Sequence, residues 1–297
     1  MKKRILTLFG FALVIILIIG LVFTLKTKYF KLTKGKKVMA GFEALMVKKN
    51  LTVADVINYL DQHINTVSKE KASQLVLGLE RVQQDNLTKW QKRYEDSVLQ
   101  MKIARNFQSE WTREELKGVT DEDLKRVLLE TVENGFKVET AEGFFFPVID
   151  YTFYRKYHSA ITSDLIVYFE LMAVESEKTP VKDAALMIGW DEILDRAEQQ
   201  EEFIREYSSS TQVGAVRQLL KRYVTFALYG CNNTPLFSYD TKRMRLEAKQ
   251  AYEEHVRDGE KGRFSALIKE YLNVLEENDY SLTAKVDAFR KKEATAW

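Results

Sequence analysis

The feature that most constrains this chain is an uninterrupted apolar run near its start. Residues Ile5 to Leu25 read ILTLFGFALVIILIIGLVFTL and contain no charged residue, Asn, Gln or Pro. At 1.5 Å per residue these 21 residues make a helix of roughly 30 Å, the thickness of a bilayer's hydrocarbon core. Cleavable signal peptides have apolar regions of only about 7–15 residues, followed closely by small residues. Because Leu25 leads directly into lysines, the run predicts an uncleaved transmembrane anchor.

Basic residues are concentrated around this run. Residues 1–37 carry nine Lys and Arg and no acid, which leaves 36 basic against 43 acidic residues in the rest of the chain. The formal charge of +2 therefore hides an acidic body and does not indicate a nucleic-acid-binding protein. We divide the chain into a tail (1–4), the anchor (5–25), a basic juxtamembrane segment (26–37) and a body (38–297). The lipid bilayer is the expected partner of residues 5–25.

The charges that flank the anchor favour opposite orientations. The MKKR head favours a cytoplasmic N-terminus, whereas six lysines after the anchor favour a cytoplasmic body under the positive-inside rule. A basic head, a long apolar run and a cysteine-poor body are together typical of a bacterial signal-anchor. We therefore expect a single-pass protein of the cell envelope with an extracytoplasmic body; a body that faces the cytoplasm is the alternative.

The body has the signals of an all-α protein. Three prolines and thirteen glycines in 297 residues favour long helices, and Thr52-x-x-Asp55 forms a capping box before an apolar-periodic segment. One stretch has a period of two, so residues 136–149 predict a short β-hairpin in which Pro147 must lie at a sheet edge or end. The predicted fold is a multi-helix bundle or array with one hairpin. Its later helices are expected at 150–158, 163–177, 180–188, 190–207, 211–229, 241–257, 264–277 and 282–293.

Most forms of site chemistry lack support in the sequence. The three histidines, His63, His158 and His255, are far apart and form no H-x-x-x-H pair, and Cys231 is the sole cysteine, so we predict no metal site. Glycine-rich phosphate loops and a G-x-S-x-G nucleophile motif are absent. The sequence therefore predicts no cofactor.

One carboxylate has a context that fits acid catalysis. Glu175 ends an apolar helix beside Ser176, where desolvation could raise its pKa. The surrounding AVESEKTPVKDAALMI resembles the catalytic stretch of lysozyme-like enzymes of the soluble lytic transglycosylase type, and this resemblance implies that Glu175 protonates a glycosidic oxygen. It covers roughly twenty residues and departs from the family pattern at Ala185 to Ile188, where ALMI stands for GLMQ. In the alternative interpretation, Glu175 is a helix-end acid paired with Lys178 or Lys182.

Two further segments contain candidate binding residues. The aromatic stretch Gly143–His158 would anchor a partner if its rings were exposed, and the loop LYGCNNTPLF, Leu228–Phe237, interrupts two long helical segments. The alternatives are that the rings form core and that the loop is a structural corner begun by Gly230. The candidate binding residues are Phe144, Phe146, Tyr151, Tyr154, Arg155, Asn232 and Asn233.

These patterns favour binding over catalysis. We predict a membrane-anchored α-helical interaction or scaffold protein whose partner is another envelope protein or a cell-wall glycan. The alternatives are a lysozyme-like, cell-wall-cleaving enzyme with Glu175 as general acid, and a cytoplasmic-facing membrane adaptor.

Overall fold

The computed structural model describes residues 33–106, 111, 114–257, 259 and 262–297. The predicted tail and anchor (1–25) lie outside the described residues, as do residues 26–32 of the predicted juxtamembrane segment. No helix within the described ranges is both long and apolar enough to cross a bilayer. The described chain is predominantly helical and contains an antiparallel β-hairpin, so the predicted all-α class with a hairpin is confirmed.

The described chain forms two compact units. The first contains the described residues up to Asn86 together with Ser159–Thr162. Its elements are α1 (33–46), α2 (Val53–His63), a 3-10 turn (Ile64–Thr66) and most of α3 (Lys69–Tyr94). The predicted capping box opens α2: the Thr52 hydroxyl accepts from the Asp55 N–H at 3.1 Å, and the Asp55 carboxylate accepts from the Thr52 N–H at 3.1 Å.

The second unit comprises residues 87–158 and 163–297. Because its helices supply the candidate functional residues, their bounds matter for the site. After the end of α3 come α4 (Ser97–Asn106), a 3-10 turn (Glu115–Gly118), α5 (Glu122–Glu133), β1 (Phe136–Ala141), β2 (Phe144–Ile149), a 3-10 helix (Tyr151–Tyr157), α6 (Ser163–Glu177), β3 (Val181–Lys182), β4 (Ala185–Leu186), α7 (Trp190–Glu206), α8 (Val213–Tyr229), α9 (Leu246–Arg257), α10 (Arg263–Glu276) and α11 (Ala284–Ala296).

The hairpin of β1 and β2 shows why a proline is tolerated in a strand. Thr140 lies opposite Phe145, and the backbone N–H and C=O of Phe145 bond to the Gln100 side chain on α4, at 2.9 and 2.7 Å. These groups of Phe145 therefore point away from β1. Because every second residue has the same orientation, Pro147 lacks its N–H at a place where no bond to β1 would form. The predicted edge position of Pro147 is confirmed.

Two of the predicted helices are wrong. Residues 150–158 contain a 3-10 helix instead of an α-helix, and residues 180–188 form the two-residue strands β3 and β4. Asp183 and Ala184 make the turn between these strands with φ values of 49° and 57°. The Asn233 side chain donates to the Asp183 carbonyl at 2.6 Å, and its backbone N–H donates to the Ala184 carbonyl at 2.9 Å. This support comes from fifty residues away, so the local pattern did not reveal it.

The loop after α8 is a corner, as one interpretation of the sequence had it. Gly230 ends the helix with φ 71°, and a Cβ there would lie 2.3 Å from the Thr234 carbonyl oxygen. Leu236 and Phe237 are buried and fix the loop to the core. The next helix begins at Leu246, later than the predicted residue 241. The chain before it is held by isolated β-bridges, such as Phe237 with Met244.

Helices α7 to α11 enclose the larger core of the second unit. The buried stripe of α7 contains Ile193, Leu194 and Phe203, and it also contains Arg196, which is 3% exposed. Arginine is almost never fully buried unless its charge is paired. The partners of Arg196 therefore identify the most unusual polar site of this core.

Candidate functional site

The candidate site is a buried charge cluster where α6, α7 and α8 meet. Glu175, near the end of α6, has a side chain that is 10% exposed, and the side chain of Arg196 on α7 is 4% exposed. Tyr223, on the buried stripe of α8, is fully buried. The packing of the largely apolar α6 against the buried faces of the amphipathic helices α7 and α8 brings these polar groups together.

Glu175 is held mainly through one carboxylate oxygen. Its Oε1 accepts hydrogen bonds from the Tyr223 hydroxyl and from Arg196 Nη1, the latter at 3.2 Å. Arg222, on the exposed side of α8, places its Nη2 3.7 Å from Oε2. No described residue donates a hydrogen bond to Oε2, which is itself buried. The carboxylate therefore has one saturated oxygen and one oxygen with only a longer ionic contact.

Arg196 ties the cluster together. Its Nη1 also donates to the Lys178 carbonyl at 3.0 Å and to the Tyr223 hydroxyl at 3.1 Å, and its Nη2 donates to Glu192 one turn earlier on α7. Lys178 bonds to the other oxygen of Glu192. The predicted lysine partners of Glu175 are therefore wrong: Lys178 pairs with Glu192, and Lys182 pairs with Glu139. Arg196 is the partner because its position on α7 faces the end of α6.

Burial and the neighbouring polar groups shift the pKa of Glu175 in opposite directions. Burial raises the pKa of the Glu175 carboxyl, while the Tyr223 hydroxyl, Arg196 and Arg222 favour its ionised form; the pKa remains raised. Burial and the nearby carboxylate of Glu175 raise the pKa of Tyr223 well above its ordinary value, so the phenol stays a proton donor. A buried acid between a guanidinium and a phenol is held in one orientation. We call this cluster a clamp, because its hydrogen bonds join α6, α7 and α8.

An open cavity of about 270 Å³ adjoins Glu175. The Ser176 hydroxyl lines it but is occupied, since it donates to the Ala173 carbonyl at 3.0 Å and accepts from the Tyr151 N–H at 3.2 Å. The other lining residues are Leu87, Val148, Ile149, Tyr151, Met172 and Thr179. The cavity is largely apolar, and among the described residues its only ionisable lining residues are Glu175 and Tyr151.

The predicted binding aromatics separate into two groups. Phe144, at the hairpin tip, is 43% exposed, and Phe146 is half-buried. Tyr151 and Tyr154 are buried, and the Tyr154 ring stacks on Phe169 at 4.3 Å. The hairpin tip is therefore available to a partner, whereas the two tyrosines contribute to the core.

The remaining predicted binding residues make contacts within the chain. Arg155 is half-exposed and pairs with Glu170 at 2.9 Å and Glu177 at 3.0 Å. Asn232 and Asn233 are exposed; the Asn232 carbonyl accepts from Tyr239, and Asn233 supports the β3–β4 turn. The structure thus joins the Leu228–Phe237 loop to the turn that follows α6.

Sequence reasoning missed Arg196 and Tyr223. Both stand in apolar stripes, so the available signal was a charged and a hydroxylated residue at positions where periodicity predicts core. Such positions require polar partners when buried, but their identity depends on how the helices meet. Metal chemistry finds no support in the part of the chain that the structure describes, where no group of three His, Cys, Asp or Glu could hold an ion.

The chain matches no protein-family model, no curated protein and no solved structure. The short resemblance around Glu175 is therefore not extended by any match to the whole chain.

Removing the charge of Arg196 should show that this cluster is a clamp. Loss of one partner of a buried ion pair costs about 3–5 kcal/mol, because the remaining charge stays buried. We expect Arg196→Met to lower the free energy of unfolding by about this amount in urea denaturation. The double variant Arg196→Met with Glu175→Leu should recover most of the loss, since no unpaired acid remains at the α6 end.

The same variants have a defined pH dependence. Without the guanidinium, the already raised pKa of Glu175 rises further, because the charge and the hydrogen bond of Arg196 no longer favour the ionised carboxylate. A carboxyl whose pKa is raised in the folded state adds most to the free energy of unfolding below its unfolded-state pKa of about 4.3. This stabilisation is lost as the pH rises through the folded-state pKa. The deficit of Arg196→Met should therefore be smaller at about pH 4 than at about pH 7. Equal deficits, or a double variant no more stable than the single, would contradict the clamp.

Proposed function

We propose that this chain is a single-pass, membrane-anchored interaction or scaffold protein whose helical body lies outside the cytoplasm. The observation that carries the proposal is the internal use of Glu175, an acid whose side chain is only 10% exposed. Glu175 is oriented by Arg196 and Tyr223, which are themselves engaged, so the cluster joins three helices. Its partner would be another envelope protein or a cell-wall glycan.

An exposed apolar surface supports a binding role. Seven large apolar side chains are exposed among the described residues, and three of them come from α4 and the tip of the hairpin. Val98 and Met101 are 52% and 53% exposed, and Phe144 is 43% exposed. The two hydrogen bonds between Gln100 and the backbone of Phe145 hold α4 beside this end of β2. Contiguous exposed apolar side chains are typical of interaction surfaces, and α4 with the hairpin tip is the candidate for one here.

The proposed anchor is residues 5–25, for which the length and the absence of charge are the support. The charge distribution is consistent with it. Residues 1–37 are basic and the rest of the chain is acidic, so the basic part would meet anionic headgroups while the body is kept from them.

One observation favours a lysozyme-like enzyme as the second candidate. Glu175 has a raised pKa, lines an open cavity, and has an oxygen without a hydrogen-bond donor among the described residues. A general acid needs these properties. The direct Arg196 contact at 3.2 Å works against this role, because a neighbouring guanidinium favours the carboxylate that has already lost its proton.

The interaction surface can be tested by photo-crosslinking in cells. A photoreactive amino acid in place of Phe144 should give a discrete adduct with an envelope component, because that apolar side chain is 43% exposed at the hairpin tip. The same amino acid at Gln250, an exposed polar position on α9, is the matched control. Mass spectrometry would identify the adduct. If Phe144 and Gln250 give the same background, this surface has no partner and the interaction proposal loses its support.

The orientation can be tested by protease treatment of intact cells. An extracytoplasmic body should be degraded by added protease, while a known cytoplasmic protein in the same sample survives. Detection needs a tag at the end of the body. Full protection of the body until the cells are lysed would instead establish the cytoplasmic-facing adaptor.

The enzyme candidate can be tested with a cell-wall zymogram of the wild type and Glu175→Gln. We expect no clearing from either protein, since Glu175 is engaged as a clamp. Glutamine can still accept from Tyr223 and Arg196, and thermal unfolding of the variant would verify its fold. Clearing by the wild type that disappears in Glu175→Gln would replace the interaction proposal with the enzymatic one.

A further inference from the structure

Helices α6 and α7 form an antiparallel pair that is held at both ends. At one end Glu175 of α6 pairs with Arg196 of α7. At the other end Asp164 of α6 accepts a hydrogen bond at 2.6 Å from Ser210, which lies just beyond the end of α7. The order of these contacts requires that the two helices run in opposite directions. These two contacts therefore set the spacing of α6 and α7 over the stretch between them.

A groove of about 360 Å³ lies between these two ends. Its floor is apolar: Val167, Leu171 and Val174 come from α6, and Phe203 comes from α7. Val167 to Val174 spans about two helical turns. The volume lies within the range of ligand-binding clefts, about 300–1,000 Å³. The groove can therefore accept a few apolar side chains along about two turns of a partner helix.

The rim of the groove is negative, chiefly along α7. Glu202 and Glu206 are exposed there; Glu202 has an exposed pair with Arg205 at 3.6 Å, and Glu206 forms no ion pair among the described residues. Glu170, on the α6 side, is already paired with Arg155. A second cavity, of about 260 Å³, shares Gln199 and Glu202 with the groove and continues the acidic surface. Its other lining residues are Asp195, Glu198, Glu201 and Arg205.

The charge of the two helices is strongly one-sided. Together α6 and α7 contain eleven Asp and Glu but only two basic residues, Arg196 and Arg205. Arg196, Glu175 and Glu192 belong to the buried cluster, which still leaves nine acids against Arg205. An apolar floor with such a rim is complementary to a helix that has an apolar stripe flanked by Lys or Arg. An acidic peptide or an anionic lipid headgroup would be repelled.

We infer that the α6–α7 groove binds a cationic amphipathic helix of a partner protein. Apolar side chains spaced three or four residues apart would enter the floor between Val167 and Val174, and basic side chains beside them would face Glu202 and Glu206. This inference rests on the proposed interaction role, and it names a second surface and the chemistry of its partner.

The test uses the full chain in uncharged maltoside micelles and two fluorescent model peptides. One peptide places leucines on a helical stripe with lysines on the other positions, and the other has glutamates in place of the lysines; each has about five helical turns, or about 18 residues. Anisotropy titrations should show binding of the lysine peptide and none of the glutamate peptide. Peptide and micelles without protein correct for association with the detergent.

Charge-reversal variants locate the binding. Glu202→Lys with Glu206→Lys should weaken the lysine peptide by about tenfold, because two favourable rim contacts become repulsive. The matched control is Glu247→Lys with Glu254→Lys, which makes the same change of net charge at exposed positions of α9 and should leave affinity within about twofold. Val174→Ser, which makes the half-buried floor polar, should also weaken binding while leaving its salt dependence unchanged.

Two results would overturn the inference. Absence of binding by the wild type is one, and equal weakening by the groove and control variants, which indicates unspecific attraction to an acidic body, is the other. The outcome is separable from that of the proposed function. Specific binding in the groove without an adduct at Phe144 retains the groove and removes the α4–hairpin surface, and the reverse pattern does the opposite.

Discussion

A buried guanidinium is the constraint on which the second unit depends. Arg196 lies on the core side of α7, where an unpaired charge would be prohibitively costly, so the end of α6 and the buried face of α8 must present acceptors to it. Glu175, Tyr223 and the Lys178 carbonyl do so. The end of α6 therefore lies beside Arg196, and the contact between Asp164 and Ser210 at the other end makes α6 antiparallel to α7.

The same requirement assigns Glu175 its task. An acid that neutralises a buried arginine is oriented and engaged, and its raised pKa reflects burial among fixed partners. The two proposed interaction surfaces lie outside this cluster. The α6–α7 groove lies between the two end contacts that hold these helices together. The carboxylates on its rim are not neutralised by Arg196, so the rim is negatively charged.

Local chemistry predicted much of the fold. The Thr52 capping box, the Gly230 helix stop and the edge position of Pro147 are all present, because each depends on hydrogen bonds or dihedral angles within a few residues. The predicted helix at residues 180–188 is wrong for the complementary reason. The left-handed turn there is supported by Asn233, which lies fifty residues further along the chain and is therefore outside the local sequence pattern.

The sequence by itself determined an uncharged run long enough for a bilayer, a helical body, one hairpin and an acid at the end of α6. Tertiary structure decided that Glu175 meets Arg196 and Tyr223, that Tyr154 is buried while Phe144 is exposed, and that an acidic groove opens along α7. The physical reason is that periodicity specifies which face of a helix is buried, whereas the partner of each buried polar group depends on which helices meet and in which direction.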